Sequence, residues 1–256
     1  MDVPAHLPPP PAIADDWALF LDVDGTLLQF AGAPDAVEVP PGLVDVLAAL
    51  QQRLGGALAL VSGRPLAQLD ALFAPLRLPS AGLHGLERRH ADNHVDPPTP
   101  PVLLGILKRK AELLAERFPG ALVEDKDSTL ALHWRGNADA EQPLRDLAEG
   151  ALPWLHDYRL QAGDGVIELR PVGTDKGDAI VALLDEAPFA ERMPVFVGDD
   201  LTDEHGFEVV LRHSGLAVLV GDRQPSHAGN RLPDIDAVLG WLRAAVAAPG
   251  HGSTGA

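Results

Sequence analysis

The sequence alternates between short, nearly continuous apolar runs and longer segments whose apolar residues recur at helical spacing. Helical spacing is present over Pro41–Gln52 and Lys176–Leu184, among other segments. Four apolar runs have the length and composition of strands that are buried on both faces, namely Trp17–Val23, Ala57–Val61, Pro194–Val197 and Leu216–Val220. Helices between buried strands are the crossover connections that parallel strands need. The sequence therefore predicts an α/β protein built on a parallel sheet.

The middle of the chain follows a different pattern. Two helical segments, 102–118 and 139–147, alternate there with short strand-like segments, and residues 162–165 (AGDG) are typical of a hairpin turn. The Pro-rich segment Asp96–Pro101 is suited to a linker into this part. We expect an inserted α+β cap over 101–170 and a core domain over 15–100 and 171–248. We further expect a disordered Pro-rich tail over 1–14 and a flexible C-terminal tail over 249–256.

Composition excludes several classes of function. Asp and Glu number 37 against 20 Lys and Arg, which gives a formal net charge of −17. Nucleic acid and anionic membrane surfaces need a basic face, so neither is an expected partner. The absence of Cys excludes disulfides, thiolate metal sites and a Cys nucleophile. With no long apolar run and no signal-peptide pattern, we expect a cytoplasmic protein, and we expect it to be a monomer.

The strongest local signal lies at the end of the first predicted strand, in LFLDVDGTLL. Asp22 and Asp24 follow the apolar run, at the edge where open parallel sheets bind ligands. Alternate residues of a strand point the same way, so both carboxylates can face one site. Gly25 allows a tight turn that exposes amide groups to an anion. The alternative is an acidic turn without function, which the flanking strand and the following Gly-Thr disfavour.

Two further signals are weaker when each is taken alone. In LVSGRP, Ser62 and Gly63 offer a hydroxyl and an open amide to a phosphoryl oxygen, although the same pair is common as a helix cap and turn. In GTDKGDAI, Lys176 stands at the predicted start of a helix, where its charge opposes the helix dipole. Either Lys176 has an anionic partner, or it is simply solvated.

A group of acidic residues follows the strand predicted at Pro194–Val197. Asp199, Asp200 and Asp203 lie within VFVGDDLTDE, and three carboxylates at this spacing repel one another unless a cation is present. A helix N-terminus rich in acidic residues is the alternative. That alternative accounts for one or two of the carboxylates but not for the whole group at the end of a strand.

The order of these four motifs, each at a strand end, resembles the haloacid dehalogenase superfamily of phosphohydrolases. The inserted segment is similar to the larger type of cap in that superfamily, which implies a Rossmann-like core with an α+β cap. Three further segments are similar to those of trehalose-6-phosphate phosphatases: GLHGLE, EDKDSTLALHWR and DGVIELRPVGTDKGDA. The resemblance runs from about Trp17 to Leu242. Trp134, where the family more often has Tyr, is a small departure.

The resemblance implies hydrolysis of trehalose 6-phosphate to trehalose and phosphate through an aspartyl phosphate on Asp22. Asp24 would act as general acid and then as general base, and Lys176 would hold the nucleophile and the phosphoryl oxygens. The cofactor implied is Mg²⁺, which prefers oxygen ligands. Its expected ligands are Asp22, Asp199 and the backbone carbonyl of Asp24, with Asp200 and Asp203 beside them. The residues expected to bind the phosphate are Gly25, Thr26, Ser62 and Gly63.

A second set of residues is expected to bind the sugar, namely Arg64, His84, Glu124, Lys126 and Glu168. Carboxylates and Lys suit a polyol because they bind hydroxyls through charge-assisted hydrogen bonds. Spacing alone favours a simpler interpretation of Glu124, Lys126 and Glu168, as the solvated, salt-bridged face of a hairpin. The resemblance favours sugar binding.

Two other functions compete with trehalose 6-phosphate hydrolysis. The same chemistry could act on another sugar phosphate, such as sucrose phosphate or mannosylglycerate phosphate, and the cap motifs disfavour this. A non-catalytic sugar-phosphate sensor is the third hypothesis. It is disfavoured because Asp22, Asp24, Lys176 and Asp199 are all present, whereas a silent relative would be expected to lose one of them.

Overall fold

The computed structural model describes residues 7–29, 37–96, 101–125, 128–155, 158–163, 165–172 and 175–247. The chain divides into two compact units. The first, the core unit, consists of Met1–Asp96 and Thr174–Ala256, and the second, the cap unit, is Pro97–Gly173, where the sequence predicted an insertion over 101–170. Within the described ranges, no helix combines the length and apolar character needed to cross a membrane.

The elements follow the alternation seen in the sequence. The strands are β1 (Trp17–Leu21), β2 (Leu58–Val61), β3 (Ser80–Gly82), β4 (Glu87–Arg89), β5 (Val95–Asp96), β6 (Leu122–Asp125), β7 (Leu130–His133), β8 (Tyr158–Gly163), β9 (Val166–Pro171), β10 (Met193–Gly198), β11 (Leu216–Val220) and β12 (Asn230–Leu232). The α-helices are α1 (Leu43–Arg53), α2 (Leu66–Leu72), α3 (Val102–Ala115), α4 (Glu141–Ala151), α5 (Lys176–Leu184), α6 (Glu204–Arg212) and α7 (Ile235–Ala247).

The core unit is built on one eight-stranded sheet, in the order β12-β11-β10-β1-β2-β3-β4-β5. Neighbouring strands from β12 to β3 are parallel, and β4 and β5 extend the sheet as antiparallel strands. The chain moves from β1 to β2 and β3 on one side, then resumes at β10 on the other side of β1. Crossovers therefore leave β1 in opposite directions, which makes the gap beside its carboxyl end a topological switch point.

Two neighbouring inner strands of this sheet, β1 and β10, lie in the hydrophobic core. All five residues of β1 are buried, and Phe20 stacks on Phe189 with ring centroids 5.5 Å apart. In α1, Leu43, Leu47 and Leu50 are buried, which is the one-sided pattern of an amphipathic helix packed on a sheet. The parallel α/β architecture predicted from the sequence is confirmed for this unit.

The structure also contains elements that the sequence analysis did not identify. These are the antiparallel strands β4 and β5, the edge strand β12 and the helix α6. The expectation of a disordered tail over 1–14 is wrong for residues 7–14, because Ile13 is 3% exposed in the core and Trp241 donates its Nε1–H to the carbonyl of Pro11 at 2.8 Å. Residues 249–256 lie outside the described residues.

The cap unit has its own sheet and its own core. Its four strands are antiparallel in the order β6-β7-β9-β8, and α3 and α4 pack against them. Leu130 and Leu132 on β7 alternate with Ala131, and they join Ile167 and Leu169 of β9 in the cluster that includes the buried residues of both helices. The α+β character expected for the insertion is confirmed.

Candidate active site

Polar residues gather where three adjacent strands of the core sheet end. Asp22 follows β1, Ser62 follows β2 and Asp199 follows β10. The registers pair Leu21 with both Leu60 and Val197, so the three strand ends are level with one another. This is the switch point of the sheet, the place where open α/β folds bind ligands.

Lys176, the first residue of α5, lies between two buried carboxylates. Its Nζ donates to Asp22 Oδ1 at 2.7 Å and to Asp203 Oδ1 at 2.5 Å. The lysine is only 3% exposed, and both partners are equally enclosed. Of the two alternatives that the sequence left open, an anionic partner or a solvated side chain, the structure shows the first, with two carboxylates as partners. A solvated Lys176 is excluded.

Burial and the neighbouring charges have opposite effects on the pKa of Asp22 and on the pKa of Lys176. Desolvation raises the pKa of Asp22 well above its ordinary value, with Lys176 opposing the shift. Burial by itself would lower the pKa of Lys176, but Asp22 and Asp203 outweigh it, and the pKa of the ammonium is raised. The lysine is therefore a permanent cation that holds one oxygen of Asp22 in place.

Asp199 completes the cluster from the end of β10. Burial, and then the Asp203 carboxylate, raise the pKa of Asp199 to about 6. Thr26 Oγ1 donates to Asp199 Oδ1 at 3.3 Å. The Thr26 hydroxyl, which was expected to bind phosphate, is therefore directed at a carboxylate in this structure, and its phosphate-binding role stays a prediction.

The side chain of Asp203 binds the backbone of the loop that follows β10. This side chain is fully buried, and its Oδ2 accepts the backbone N–H groups of Asp199 at 2.9 Å and Asp200 at 2.8 Å. Asp200 is exposed and caps the short helix Leu201–Asp203 by accepting the N–H of Leu201. Asp200 and Asp203 thus belong to the acidic helix N-terminus that the sequence offered as an alternative, as the two members of a capping box, and Asp203 joins the buried cluster as well.

A close approach of the backbone makes Gly25 necessary in this turn. Gly25 has φ +82°, and a Cβ placed there would lie 2.2 Å from Asp199 Oδ2. The turn is closed by the Gly25 N–H, which donates to the carbonyl of Leu28 at 2.8 Å. Gly25 therefore serves to bring the Asp199 carboxylate against the backbone, while its expected contact with phosphate stays a prediction.

The donor set of this cluster fits a hard divalent cation. Asp22, Asp199 and Asp203 each offer a carboxylate oxygen, and the three atoms lie within 4.8 Å of one another. The cluster contains three carboxylates and one lysine, so its negative charge exceeds its positive charge when all are ionised. Burial disfavours this excess of negative charge, which a cation would compensate. Because both oxygens of Asp203 already accept hydrogen bonds, Asp22 and Asp199 are the better direct ligands. All-oxygen ligation of this kind suits Mg²⁺.

Asp24 lies beside the cluster and is held by an arginine. Arg64 donates from Nε to Asp24 Oδ2 and from Nη2 to Asp24 Oδ1, both at 2.7 Å. This two-pronged geometry orients the carboxylate and is specific to arginine. Arg64 was expected to bind sugar. In the structure its guanidinium holds Asp24 and also contacts Gln68.

Ser62, Gly63 and His84 form a second, tightly packed turn. Ser62 is fully buried, its Oγ accepts the N–H of Arg64 at 3.1 Å, and its carbonyl accepts the N–H of His84 at 2.9 Å. A Cβ on Gly63 would lie 2.8 Å from His84 Nε2, so the imidazole rests on the glycine. The structure thus brings three predicted ligand residues together beside Arg64.

In the cap unit, two of the predicted sugar-binding residues share one face of the sheet. The register pairs Glu124 with Ala131 and Ala131 with Glu168, and directly paired residues point to the same side. His133 Nε2 lies 3.0 Å from Glu124 Oε2, and Thr129 Oγ1 donates to Glu168 Oε1 at 3.0 Å. Lys126 lies outside the described residues.

One group of residues around the site was missed in the sequence analysis. Arg223, in the loop after β11, donates to the backbone carbonyls of Asp199 and Asp200, each at 3.2 Å. It also pairs with Glu204, the first residue of α6. A polar residue just beyond another buried parallel strand was the available signal, since such positions face the same edge of the sheet.

Comparisons with known proteins agree with this arrangement. The model of the trehalose-phosphatase family matches residues 20–236. The chain is 44% identical over 232 residues to the "Probable trehalose-phosphate phosphatase" of Sinorhizobium fredii, covering 90% of this chain and 88% of that protein. It is 40% identical over 234 residues to the "Trehalose-6-phosphate phosphatase" of Escherichia coli, covering 91% and 87%.

Solved structures share the fold. A "trehalose-6-phosphate phosphatase related protein" superposes with a TM-score of 0.67 at 26% identity, covering 89% of this chain and 96% of that one. A haloacid dehalogenase-like hydrolase from Bacteroides thetaiotaomicron gives a TM-score of 0.64 at 16% identity, covering 88% and 98%. The predicted superfamily fold is therefore confirmed. On the match of the family model and the two close relatives, the chain belongs to the trehalose-phosphatase family.

Proposed function

We propose that this chain hydrolyses trehalose 6-phosphate to trehalose and phosphate in a Mg²⁺-dependent reaction. The observation that carries the proposal is the buried cluster of Asp22, Asp199, Asp203 and Lys176 at the switch point of the core sheet, in a chain of the trehalose-phosphatase family. Carboxylates that are close together, partly uncompensated and next to a fixed cation suit the transfer of a phosphoryl group.

Asp22 is the proposed nucleophile. Lys176 donates a hydrogen bond to its Oδ1, which fixes the carboxylate that would attack phosphorus. The attack would form an aspartyl phosphate and release the sugar oxygen, and water would later cleave the acyl phosphate. Mg²⁺, held by Asp22, Asp199 and the backbone carbonyl of Asp24, would neutralise the charge of the phosphate dianion.

Asp24 is the proposed proton carrier. In the first step it would give a proton to the leaving sugar oxygen, and in the second it would take one from the attacking water. The pair with Arg64 holds both of its oxygens as acceptors, which is the arrangement needed before the second step. Protonation for the first step requires one of these two hydrogen bonds to be given up.

The remaining assignments rest on the sequence. We propose that Gly25, Thr26, Ser62 and Gly63 bind the phosphoryl group and that Arg64, His84, Glu124, Lys126 and Glu168 bind the sugar. The partner is then a small sugar phosphate. A cytoplasmic location and a monomeric state are likewise predictions from the sequence alone.

The proposal is tested by phosphate release over a panel of sugar phosphates. We expect turnover of trehalose 6-phosphate that is much faster than that of sucrose phosphate or mannosylglycerate phosphate. EDTA should stop turnover, and added Mg²⁺ should restore it. Asp22→Asn, which has nearly the same volume, should fold and bind but release no phosphate. Preference for another sugar phosphate would refute the substrate, and turnover by Asp22→Asn would refute the covalent mechanism.

A further inference from the structure

The loop that carries Asp199 is held on both edges of its peptide groups. On one edge, Asp203 accepts the N–H groups of Asp199 and Asp200. On the other, Arg223 donates to the carbonyl oxygens of the same two residues, from Nε at 3.2 Å and from Nη2 at 3.2 Å. Consecutive peptide groups held in this way have little freedom to rotate, so the direction of the Asp199 Cα–Cβ bond is fixed.

Arg223 is itself held rigidly. Its Nη2 pairs with Glu204 Oε1, and its Nη1 donates to the carbonyl of Pro225 at 2.8 Å. The other oxygen of Glu204 accepts the backbone N–H of His227 at 2.8 Å and lies 2.9 Å from its Nδ1. The Glu204 side chain is 11% exposed, so its charge needs these partners. Arg223 thereby connects the loop after β11 to the loop after β10.

The contacts require the shape of an arginine. The planar guanidinium carries five N–H donors in a fixed fork, and here it serves three carbonyl groups and a carboxylate. A lysine has the charge but offers a single point from which it cannot reach these acceptors together.

We infer that Arg223 is a positioning residue that orients Asp199 for metal binding, through the Asp199 and Asp200 carbonyls and with Glu204 as its anchor. The inference rests on the metal site proposed above. Arg223 meets the loop through backbone atoms, so its effect reaches the ion through Asp199. Removing residues that orient metal ligands typically weakens metal affinity by about 10–100-fold.

Binding of Mn²⁺ to the full-length protein without substrate, followed by electron paramagnetic resonance, tests this directly. Arg223→Ala and Arg223→Lys should each weaken Mn²⁺ affinity by about 10-fold or more. Activity at saturating metal should recover in large part, because the catalytic residues are intact. Circular dichroism confirms folding, and Arg223→Lys provides the measurement if Arg223→Ala does not fold.

Arg53 supplies a matched control. Like Arg223, it donates to a carboxylate, that of Asp15 at 2.7 Å, and to backbone carbonyls, those of Ile13 and Ala245. Asp15 and Ile13 precede β1 and Ala245 lies on α7, whereas Asp22 follows the opposite end of β1. Arg53→Ala should lower the melting temperature and leave Mn²⁺ affinity unchanged. An equal loss of affinity in Arg53→Ala would assign the effect to general loosening and overturn the inference.

Two comparisons complete the design. Glu204→Gln should also weaken Mn²⁺ binding, and the double variant with Arg223→Ala should be no weaker than Arg223→Ala, because the two residues act as one unit. If Asp199→Asn loses Mn²⁺ binding and both Arg223 variants keep the affinity of the unmodified protein, the role of Arg223 is refuted and the metal site stands. Absence of Mn²⁺ binding by the unmodified protein would refute the metal site and the inference with it.

Discussion

At the scale of single residues, the site depends on how closely its atoms are packed. Gly25 shows this most directly, because the Asp199 carboxylate occupies the space where any other residue would carry a side chain. Gly63 plays a comparable part beneath the imidazole of His84. At such positions a single added methyl group displaces functional atoms, and the position of a functional atom controls rate steeply.

We predict that Gly25→Ala lowers kcat/KM for trehalose 6-phosphate by about 100-fold, because the new methyl group would push Asp199 away from Asp22. Gly42→Ala is the control. Gly42 has a similar φ of +76°, but no atom lies within 4 Å of the position of a Cβ. It should lose about 1–2 kcal/mol of stability and keep its kcat/KM. Steady-state kinetics and urea unfolding of both variants separate the clash from backbone strain, and an active Gly25→Ala would contradict the packing described here.

At the scale of elements, the cap sheet presents carboxylates on the face opposite its helices. Glu124 and Glu168 lie in one row across β6, β7 and β9, and Ala131 separates them. The leucines of β7 point the other way, into the cluster with α3 and α4. The alternation of strand residues thus divides the unit into an apolar face and a face that carries the two carboxylates proposed to bind the sugar.

Glu168→Ala should reduce kcat/KM for trehalose 6-phosphate by about 10–100-fold, since one hydrogen bond to a charged group contributes about 1.5–3 kcal/mol. Turnover of a small aryl phosphate should not change, because that substrate has no sugar to bind. Glu149→Gln, on the exposed surface of α4, is the control and should behave like the unmodified protein on both substrates. An equal loss on both substrates would mean that Glu168 supports the fold.

The β4–β5 hairpin is attached to the end of α5 through an imidazole. His90 Nδ1 lies 2.6 Å from Glu186 Oε2, and Nε2 lies 2.8 Å from Asp96 Oδ2. Carboxylates only accept, so both ring nitrogens donate and the ring carries a charge. The hydrogen bond to Glu186 raises the pKa of His90, and the hydrogen bond to Asp96 raises it further. Partial burial and the charge of Arg88 lower this pKa. The ring of His94 also lies nearby, with its centroid 5.6 Å from that of His90.

A raised pKa in the folded state gives stability that is complete below the unfolded value of about 6.5 and is lost as the pH rises through the folded value. His90→Gln should therefore lower the free energy of unfolding more at pH 5.5 than at pH 9, and the two losses should differ by about 0.5–1 kcal/mol. The difference is small because Asp96 is half exposed. Urea unfolding at both pH values measures the difference. Glu186→Gln should remove the larger share of this pH-dependent part, because Asp96 still accepts from the imidazole. A difference that does not vary with pH would exclude the charged imidazole.

At the scale of the whole molecule, the segment before β1 is part of the core unit. The carbonyls of Pro8 and Pro11 accept hydrogen bonds from Arg231 N–H and from Trp241 Nε1–H. Trp241 also contacts Trp17, with ring centroids 6.2 Å apart. The segment thus connects β1, β12 and α7 before the sheet begins.

Ile13→Ala should lower the free energy of unfolding by about 2–4 kcal/mol, because it removes a buried aliphatic side chain and leaves a cavity. Activity of the folded protein should be unaffected, since Ile13 precedes β1 and the site follows it. Leu211→Ala, at a side chain that is 41% exposed, should cost less than half as much. Equal effects of the two substitutions on urea unfolding would show that residues 7–14 contribute little to the core.

Sequence alone located four strands of the parallel sheet, β1, β2, β10 and β11, and the motifs that follow β1, β2 and β10. This was possible because a strand buried on both faces leaves a local mark, a short apolar run, and the polar residue after it lies at the binding edge. An anionic partner for Lys176, one of the two alternatives, was also indicated by a local feature, because a cation at a helix N-terminus opposes the helix dipole. Family resemblance then supplied the roles of Asp22 and Asp24.

The tertiary structure decided which partners meet. Lys176 pairs with Asp22 across 154 positions of sequence, and Arg64 with Asp24 across 40, and no periodicity reports such distances. For Arg223 the sequence offered a position just beyond a buried strand, but not the contacts of its guanidinium with Asp199 and Asp200. Ile13, a lone apolar residue after a run of prolines, shows no pattern by which its burial could be recognised. Local patterns record which face of an element is buried, whereas contacts between distant residues depend on how the whole sheet and its helices pack together.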